Sequence, residues 1–444
     1  WLDERSTITI SKKKYGWFGL NFIKKALFNQ LPETEYQEYL LMRQLERDNN
    51  IPIRDVNYLP FEDGEGKVRS EESVRTNDIF LIALQQDYTL LEEQIDGIDS
   101  LIEKAFSEIA PDVAPPNFAQ LLEPYLRQQG SDIELASKIQ KRLDELIPKF
   151  DVNADLSKRI LETFKHIRTL KNIYGHNISL ITPYFTFTRG DRPTGKEASI
   201  AKLMTDLYVE AGADHFVSMQ LHAPQEREYT NKPFENLKFL QLMMDYIINR
   251  VNLEQKIVIV APDAGAAKVA QKYVDVLQSN MGYGNKIRIY SYDNGSSGHV
   301  ENIELIGDVE DAYIIVIDDE TASGSTLLKL LEQAKAKKAK KALIGVAHGK
   351  LVGAEEKFSK LYEDGFLDEV VITDSINHSN SFIDRNKDWL TILDSSRIFA
   401  QAIYNIHCYK SMEDMYNNFV VNYARIIHSI RTSLTPADQS VSPS

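Results

Sequence analysis

Residues 313–326 constrain the fold of this chain more than any other stretch: Tyr313-Ile-Ile-Val-Ile-Asp318-Asp319-Glu-Thr-Ala-Ser323-Gly324-Ser325-Thr326. The opening run is apolar without alternation, as expected of a strand covered on both faces of a parallel sheet. It ends in two adjacent carboxylates. A short turn of small and hydroxyl residues follows, and a helix is expected from Leu327 onward. In open parallel sheets, ligands bind beyond the carboxyl ends of the strands. A Ser-Gly-Ser-Thr turn at a helix N-terminus offers backbone N–H groups and hydroxyls to an anion. Asp318 and Asp319 can accept hydrogen bonds from sugar hydroxyls or hold a hydrated Mg²⁺. A phosphate at the turn and a diol at the carboxylates together describe a ribose 5-phosphate. Two plainer readings stand beside this one: Asp-Asp after a strand is common, and the turn could serve only as a helix cap.

The pattern around this stretch is α/β. Apolar strand candidates at 178–183, 215–220, 256–261, 287–291, 312–317, 342–347 and 369–373 alternate with helical periodicity at 197–211, 234–251, 265–280, 325–338 and 354–363. That rhythm implies right-handed βαβ units and parallel sheets. A β-type run at 6–11, a helical pattern at 33–49 and a buried strand from Asp78 precede them. Residues 88–175 differ, with Leu, Ile and Phe at three- and four-residue spacing and Pro111, Pro115, Pro116 and Gly130 as punctuation, which predicts a helical insertion. The lysines of 335–341 read as the solvated end of a helix.

A second group of polar residues falls at other strand ends. Pro183-Tyr-Phe-Thr-Phe-Thr-Arg189-Gly190-Asp191-Arg192 carries two arginines, whose planar forks suit polyphosphate oxygens. Met219-Gln220-Leu221-His222-Ala223 brings a histidine to the next strand end, and Ala261-Pro262-Asp263-Ala-Gly265 a carboxylate to a third. Singly, these read as a surface arginine pair, a satisfied histidine and a helix cap. Jointly, at the same end of parallel strands, they predict one polar cleft.

The combination resembles the ribose-phosphate diphosphokinases (PRPP synthetases), and the 313–326 stretch also resembles the diphosphate loop of type I phosphoribosyltransferases, with Ser323 where the pattern has Thr. Phe61-Glu-Asp63-Gly-Glu65, Glu72-Ser-Val-Arg75-Thr-Asn-Asp78, Gly212-Ala-Asp214, Ile306-Gly307-Asp308-Val309, Ala347-His348-Gly349 and Val371-Ile-Thr373 extend it in order. It covers about 51–87 and 176–407; residues 88–175 replace a much shorter connection. The resemblance implies transfer of a diphosphoryl group from Mg²⁺-ATP to the 1-hydroxyl of ribose 5-phosphate. Arg189, Asp191 and Arg192 would hold ATP. Phe61, Asp63 and Glu65 would contact adenine, in the family across a subunit boundary, which implies a homo-oligomer or an assembly with a paralogue. His222 and Asp263 would support the metal, with Arg189 joining them in catalysis. Asp318, Asp319, Ser323, Gly324, Ser325 and Thr326 would bind the ribose phosphate.

The implied architecture is two phosphoribosyltransferase-like domains with parallel sheets of five or so strands. The first comprises 1–87 and 176–240 and carries the insertion at 88–175. The second comprises 241–395. A C-terminal helix over 396–432 is expected to return to the first domain, and 433–444 to form a disordered tail.

Three departures bear on activity. The family's mobile loop begins Lys-Arg-Arg, and those positions fall at Asp293, Asn294 and Gly295 here. The stretch Tyr292-Asp-Asn-Gly-Ser-Ser-Gly-His299 has no lysine or arginine. Losing such a clamp costs several kcal/mol of barrier, by analogy with arginine fingers worth about 10³–10⁵ in rate. Gln220 and Asn231 stand where the family has Asp, although Glu235 keeps a carboxylate near the latter, and amides are poorer ligands for a hard dication. Three readings follow. One is an active diphosphokinase, acting on ribose 5-phosphate or a related ester, with the missing charge supplied by Lys286, Arg288 or a lysine of the insertion. Another is a weak or inactive paralogue that binds nucleotide or sugar phosphate and regulates a partner. The third is a phosphoribosyltransferase, which would leave Arg189-Gly-Asp-Arg192 and Leu221-His222-Ala223 unexplained.

The net charge of −14 argues against a nucleic-acid surface. A single cysteine, Cys408, excludes an intrachain disulfide and a zinc–cysteine cluster. No apolar run reaches the roughly 18 residues of a membrane span, and no signal-peptide pattern is present. A cytoplasmic protein is expected, and a chain beginning at Trp1 is expected to lack its native start.

Overall fold

A computed structural model describes residues 6–11, 53–60, 66–70, 78–83, 152–173, 175–190, 198–293, 296–351, 353–407 and 409–434. The helical reading of 33–49, most of the insertion, Cys408, the 435–444 part of the tail, and Phe61, Asp63, Glu65, Arg75, Asp191 and Arg192 lie outside the described residues. The chain divides into two compact units. The smaller comprises 86–160 and 377–388. Its helix α7 (Asn380–Asn386) is capped by the Ser379 hydroxyl, which accepts from the Phe382 N–H at 3.1 Å. Helix α1 (Val152–Asn172) begins in this unit's residues.

The larger unit holds two sheets, each of seven described strands. In chain order, the first contains β1 (Ser6–Ser11), β2 (Ile53–Pro60), β3 (Gly66–Ser70), β4 (Asp78–Ile82), β5 (Ile178–Thr182), β6 (His215–Met219) and β7 (Phe234–Leu237), arranged 3-2-1-4-5-6-7. The second contains β8 (Ile257–Ala261), β9 (Asn280–Asp293), β10 (Ser296–Ile306), β11 (Tyr313–Thr321), β12 (Lys341–Gly349), β13 (Leu367–Thr373) and β14 (Leu390–Leu393), arranged 10-9-8-11-12-13-14. Every pairing is parallel except the edge hairpins β2–β3 and β9–β10.

The apolar run of β11 is central, hydrogen-bonded to β8 on one side and β12 on the other. Its Ile314, Ile315, Val316 and Ile317 are fully buried, which explains the absence of alternation. Helices α3 (Leu240–Arg250) and α4 (Ala267–Leu277) pack Met243, Met244 and Tyr273 against Ile259, Ile315 and Ile317. Helix α5 (Ser325–Ala336) buries Leu327, Leu330 and Leu331, and α6 (Glu355–Glu363) buries Phe358. On the first sheet, Phe399, Ala402 and Ile403 of α8 (Ser396–His407) pack on Phe80, Ile181, Val217 and Leu237. Burying one such phenylalanine contributes roughly 2–3 kcal/mol. Helix α2 (Ile200–Ala211) is capped by the Ser199 hydroxyl at one end and by Gly212, at φ 119°, at the other.

Four readings need correction. The helix expected over 234–251 begins only at Leu240, because Phe234–Leu237 pairs with β6 in register Phe216↔Phe234 and forms that sheet's edge. The helix expected to reach residue 280 ends at Gln278, whose φ of 48° breaks it, and β9 starts at Asn280. The loop expected at 292–299 is largely strand: Asp293 pairs with Ser296 and Tyr292 with Ser297. This hairpin, with β14 and the β2–β3 pair, raises the count from five or so to seven. Finally, the C-terminal helix is two helices, α8 and α9 (Met412–Leu434), and Ile427 of α9 joins the core of the second sheet.

Candidate active site

The carboxyl ends of β6, β8 and β11 meet at one cavity of about 820 Å³. The turn after β6 supplies Gln220 and His222, the turn after β8 supplies Asp263, and β11 itself supplies Asp318 and Asp319. The His222 Nδ1 lies 2.6 Å from the Asp319 Oδ2. Asp263 is held by local geometry: its Oδ1 accepts from the N–H groups of Gly265 and Ala266 at 2.9 and 3.1 Å, opening α4. Asp318 Oδ1 likewise accepts from the Asp319 N–H at 2.9 Å.

The two adjacent carboxylates have opposite proton affinities. Burial, reinforced by the charges of Asp319 and Asp263, pushes Asp318 well above the usual carboxylate range. Burial pulls Asp319 the same way, but its hydrogen bond to His222 and the bond with Asp318 outweigh that and hold it below the usual range. One carboxylate is thereby poised to hold a proton while its neighbour stays ionised, a division seen where paired carboxylates share a site.

Gln220 explains its own departure from the family pattern. It adopts a positive φ of 44° as the chain leaves β6. Its side-chain Oε1 accepts from the Phe239 N–H at the start of α3, at 3.3 Å. Asn236 in β7 supports the next residue, accepting from the Leu221 N–H at 3.1 Å. Leu221 and Ala223 are buried while His222 points out, with its side chain 40% exposed.

Arg189 follows β5 in a short 3₁₀ turn and pairs with Glu320 at 3.2 Å. Glu320 is buried, one residue beyond Asp319. Lys350 also pairs with it, and the Tyr184 hydroxyl donates to it at 3.1 Å. Two cations and a hydroxyl compensate a carboxylate whose uncompensated burial would be costly. Arg189 is thus held by Glu320, outside the residues lining the cavity. A second tie joins the sheets. His348 at the end of β12 is buried, and burial keeps it below its ordinary proton affinity. A carbonyl can only accept, so the Nε2–H donates to Met219 O at 2.9 Å, and the neutral ring's Nδ1 accepts from the Ser375 hydroxyl at 2.7 Å.

The Ser323–Thr326 turn opens α5, with Gly324 at φ 66°. A β-carbon there would lie 2.9 Å from the Phe358 ring, so both the backbone conformation and the space call for glycine. Ser323 and Ser325 are exposed at the helix N-terminus, their hydroxyls 3.3 Å apart. The side chains of Lys286 and Arg288 are outside the described set. Sequence reasoning missed Lys238, Lys268 and Lys272, which line the same cavity as the carboxylates. The available signal was the i, i+4 spacing of Lys268 and Lys272 just after Pro262-Asp263-Ala-Gly265.

The chain is 31% identical over 265 residues to ribose-phosphate pyrophosphokinase 3 of Saccharomyces cerevisiae, covering 60% of this chain and 79% of that one. It belongs to the ribose-phosphate pyrophosphokinase family. The Deinococcus radiodurans ribose-phosphate pyrophosphokinase is 28% identical over 263 residues, 59% of this chain and 79% of that one. The phosphoribosyl transferase domain family matches residues 234–377, from β7 through β13. In fold, the chain resembles the crystal structure of phosphoribosylpyrophosphate synthetase from Mycobacterium smegmatis, with a TM-score of 0.58 and 20% identity, covering 90% of this chain and 98% of that one. Among the described residues no helix is long and apolar enough to cross a membrane.

Proposed function

We propose that this chain transfers a diphosphoryl group from Mg²⁺-ATP to the 1-hydroxyl of ribose 5-phosphate, giving PRPP and AMP. The observation that carries the reading is the convergence of His222, Asp263, Asp318 and Asp319 on one cavity, beside a hydroxyl-rich turn at the N-terminus of α5. Asp318 and Asp319 would hold the ribose diol, and Ser323, Gly324, Ser325 and Thr326 its 5-phosphate. Arg189, with Asp191 and Arg192, would receive the nucleotide. In-line phosphoryl transfer needs positioning and charge neutralisation more than covalent chemistry, and these groups serve both.

The acidic wall suits a hydrated magnesium ion. Burial and the charges of Asp319 and Asp263 disfavour a further negative charge at Asp318, and a dication would offset that repulsion. Among the described residues no three ligands close on a point as a dedicated metal cage does. That fits Mg²⁺ arriving on substrate phosphates and keeping several waters. His222 and Asp263 would contact it directly or through water, and the ion would neutralise the donor's phosphates.

A second reading is supported by one observation. The segment that in the family carries the catalytic cations is here a β-hairpin through Asp293 and Ser296, without lysine or arginine at 292–299. A weak or inactive paralogue that binds the same ligands and regulates a partner would have this feature, and the family's subunit contacts at Phe61, Asp63 and Glu65 would make that partner a subunit of the same assembly. The test is AMP release from Mg²⁺-ATP by the purified protein, with and without ribose 5-phosphate. Ribose-5-phosphate-dependent AMP together with PRPP supports the enzyme. No AMP, with both ligands binding, transfers the weight to the regulatory reading.

A further inference from the structure

The cavity has a basic wall. Lys268 and Lys272 lie one turn apart on the same face of α4, and Lys238, half-buried, leaves the end of β7 towards them. Several lysines of this acidic protein find a carboxylate: Lys171 reaches Asp214 at 2.7 Å, Lys256 reaches Asp308 at 2.8 Å, and Lys335 reaches Asp364 at 3.1 Å. Among the described residues, no carboxylate lies within ion-pair distance of Lys238, Lys268 or Lys272. The neighbours of Lys238 are cations instead. Burial, with Lys272 and Arg227 nearby, brings its ammonium down to about 8. Asp263, Asp318 and Asp319 line the same cavity without meeting them, Asp319 being engaged by His222.

Three ammonium groups facing one cavity repel each other unless an anion joins them, and several charges at one place suit a multiply charged anion. The volume, about 820 Å³, lies within the range of small-molecule and cofactor sites. The Ser323–Thr326 turn, which suits a sugar monophosphate, does not line it.

We propose that Lys238, Lys268 and Lys272 form a polyphosphate subsite that binds the triphosphate chain of the phosphoryl donor. This deepens the diphosphokinase reading and rests on it for the identity of the donor. The lysines would supply from β7 and α4 the positive charge that residues 292–299 lack. The donor's phosphates would then bridge the basic wall and, through Mg²⁺, the acidic wall.

Calorimetric titration of the full chain with inorganic tripolyphosphate, Mg²⁺-ATP, orthophosphate and ribose 5-phosphate tests this, on the wild type and on K238Q/K272Q. The double variant is expected to bind tripolyphosphate and ATP about 10–100-fold more weakly, with ribose 5-phosphate unchanged and a shallower salt dependence. Wild-type binding of orthophosphate should be far weaker than that of tripolyphosphate. K272Q alone, on an exposed helix face, provides a partial effect should the double variant fail to fold. Unchanged tripolyphosphate affinity, or a loss confined to ribose 5-phosphate, would overturn the subsite. Lysine-dependent tripolyphosphate binding without PRPP formation would refute the catalytic reading while leaving the subsite standing.

Discussion

The acidic and basic walls of the cavity are assembled in different ways. Asp318 and Asp319 are adjacent in the chain, after the buried apolar run of the central strand of the second sheet, and the turn that follows them is part of the same short motif. The lysines come from the end of an edge strand in the first sheet and the outer face of a helix in the second. Lys268 and Lys272 share an i, i+4 spacing on one helix, but nothing local ties Lys238 to them; the approach of the two sheets makes them neighbours. A wall written in one motif announces its chemistry. A wall gathered from separate elements carries only a partial signature.

The sharpest way to break the contrast is Asp319→Asn. It removes the charge paired with His222 and should lower the rate of PRPP formation about 10²–10³-fold, with folding intact by circular dichroism. A milder change in rate would mean the acidic wall is not the electrostatic centre. The next effect concerns what holds the walls together. His348→Ala removes the bonds to the Met219 carbonyl and the Ser375 hydroxyl and leaves a cavity between the sheets. Denaturant unfolding should report a loss of about 2–4 kcal/mol. A loss below 1 kcal/mol would show that the sheets do not depend on this tie. Gly324→Ala tests the turn beside the carboxylates. Its positive φ and the nearby Phe358 ring predict destabilisation of about 1–3 kcal/mol together with weaker ribose 5-phosphate binding and unchanged tripolyphosphate binding.

The smallest effect uses the opposite end of β6 as a control. His215, where that strand begins, is pushed down to about 4 by burial, and its Nε2 lies 4.0 Å from the Glu235 carboxylate. A histidine that resists protonation in the folded state contributes stability in full above its ordinary value of 6.5 and loses it as pH falls towards 4. Stability should therefore drop by about 1–2 kcal/mol between pH 7 and pH 5, and His215→Asn should flatten that part of the profile. Tripolyphosphate affinity measured on folded protein should be the same in both, since the change lies at the strand end away from the cavity.

The sequence alone determined the α/β class, the order of most strands and the acidic half of the site. Long apolar runs without alternation can be satisfied only between two covering layers, and small residues after paired carboxylates fit few other places. It did not determine the edges. Phe234–Leu237 and Asn280–Asp293 are strands because neighbouring strands accept them in register, and β-structure depends on partners that local periodicity does not contain. Gln220, a departure in the motif, has a structural reason visible only in three dimensions: it holds the start of α3. Arg189 was legible as a strand-end cation, but its pairing with Glu320, which Lys350 and Tyr184 also reach, required the two sheets to meet. Tertiary structure likewise decided the basic wall, because electrostatic repulsion depends on distance in space, and no spacing along the chain records that Lys238 and Lys272 face each other.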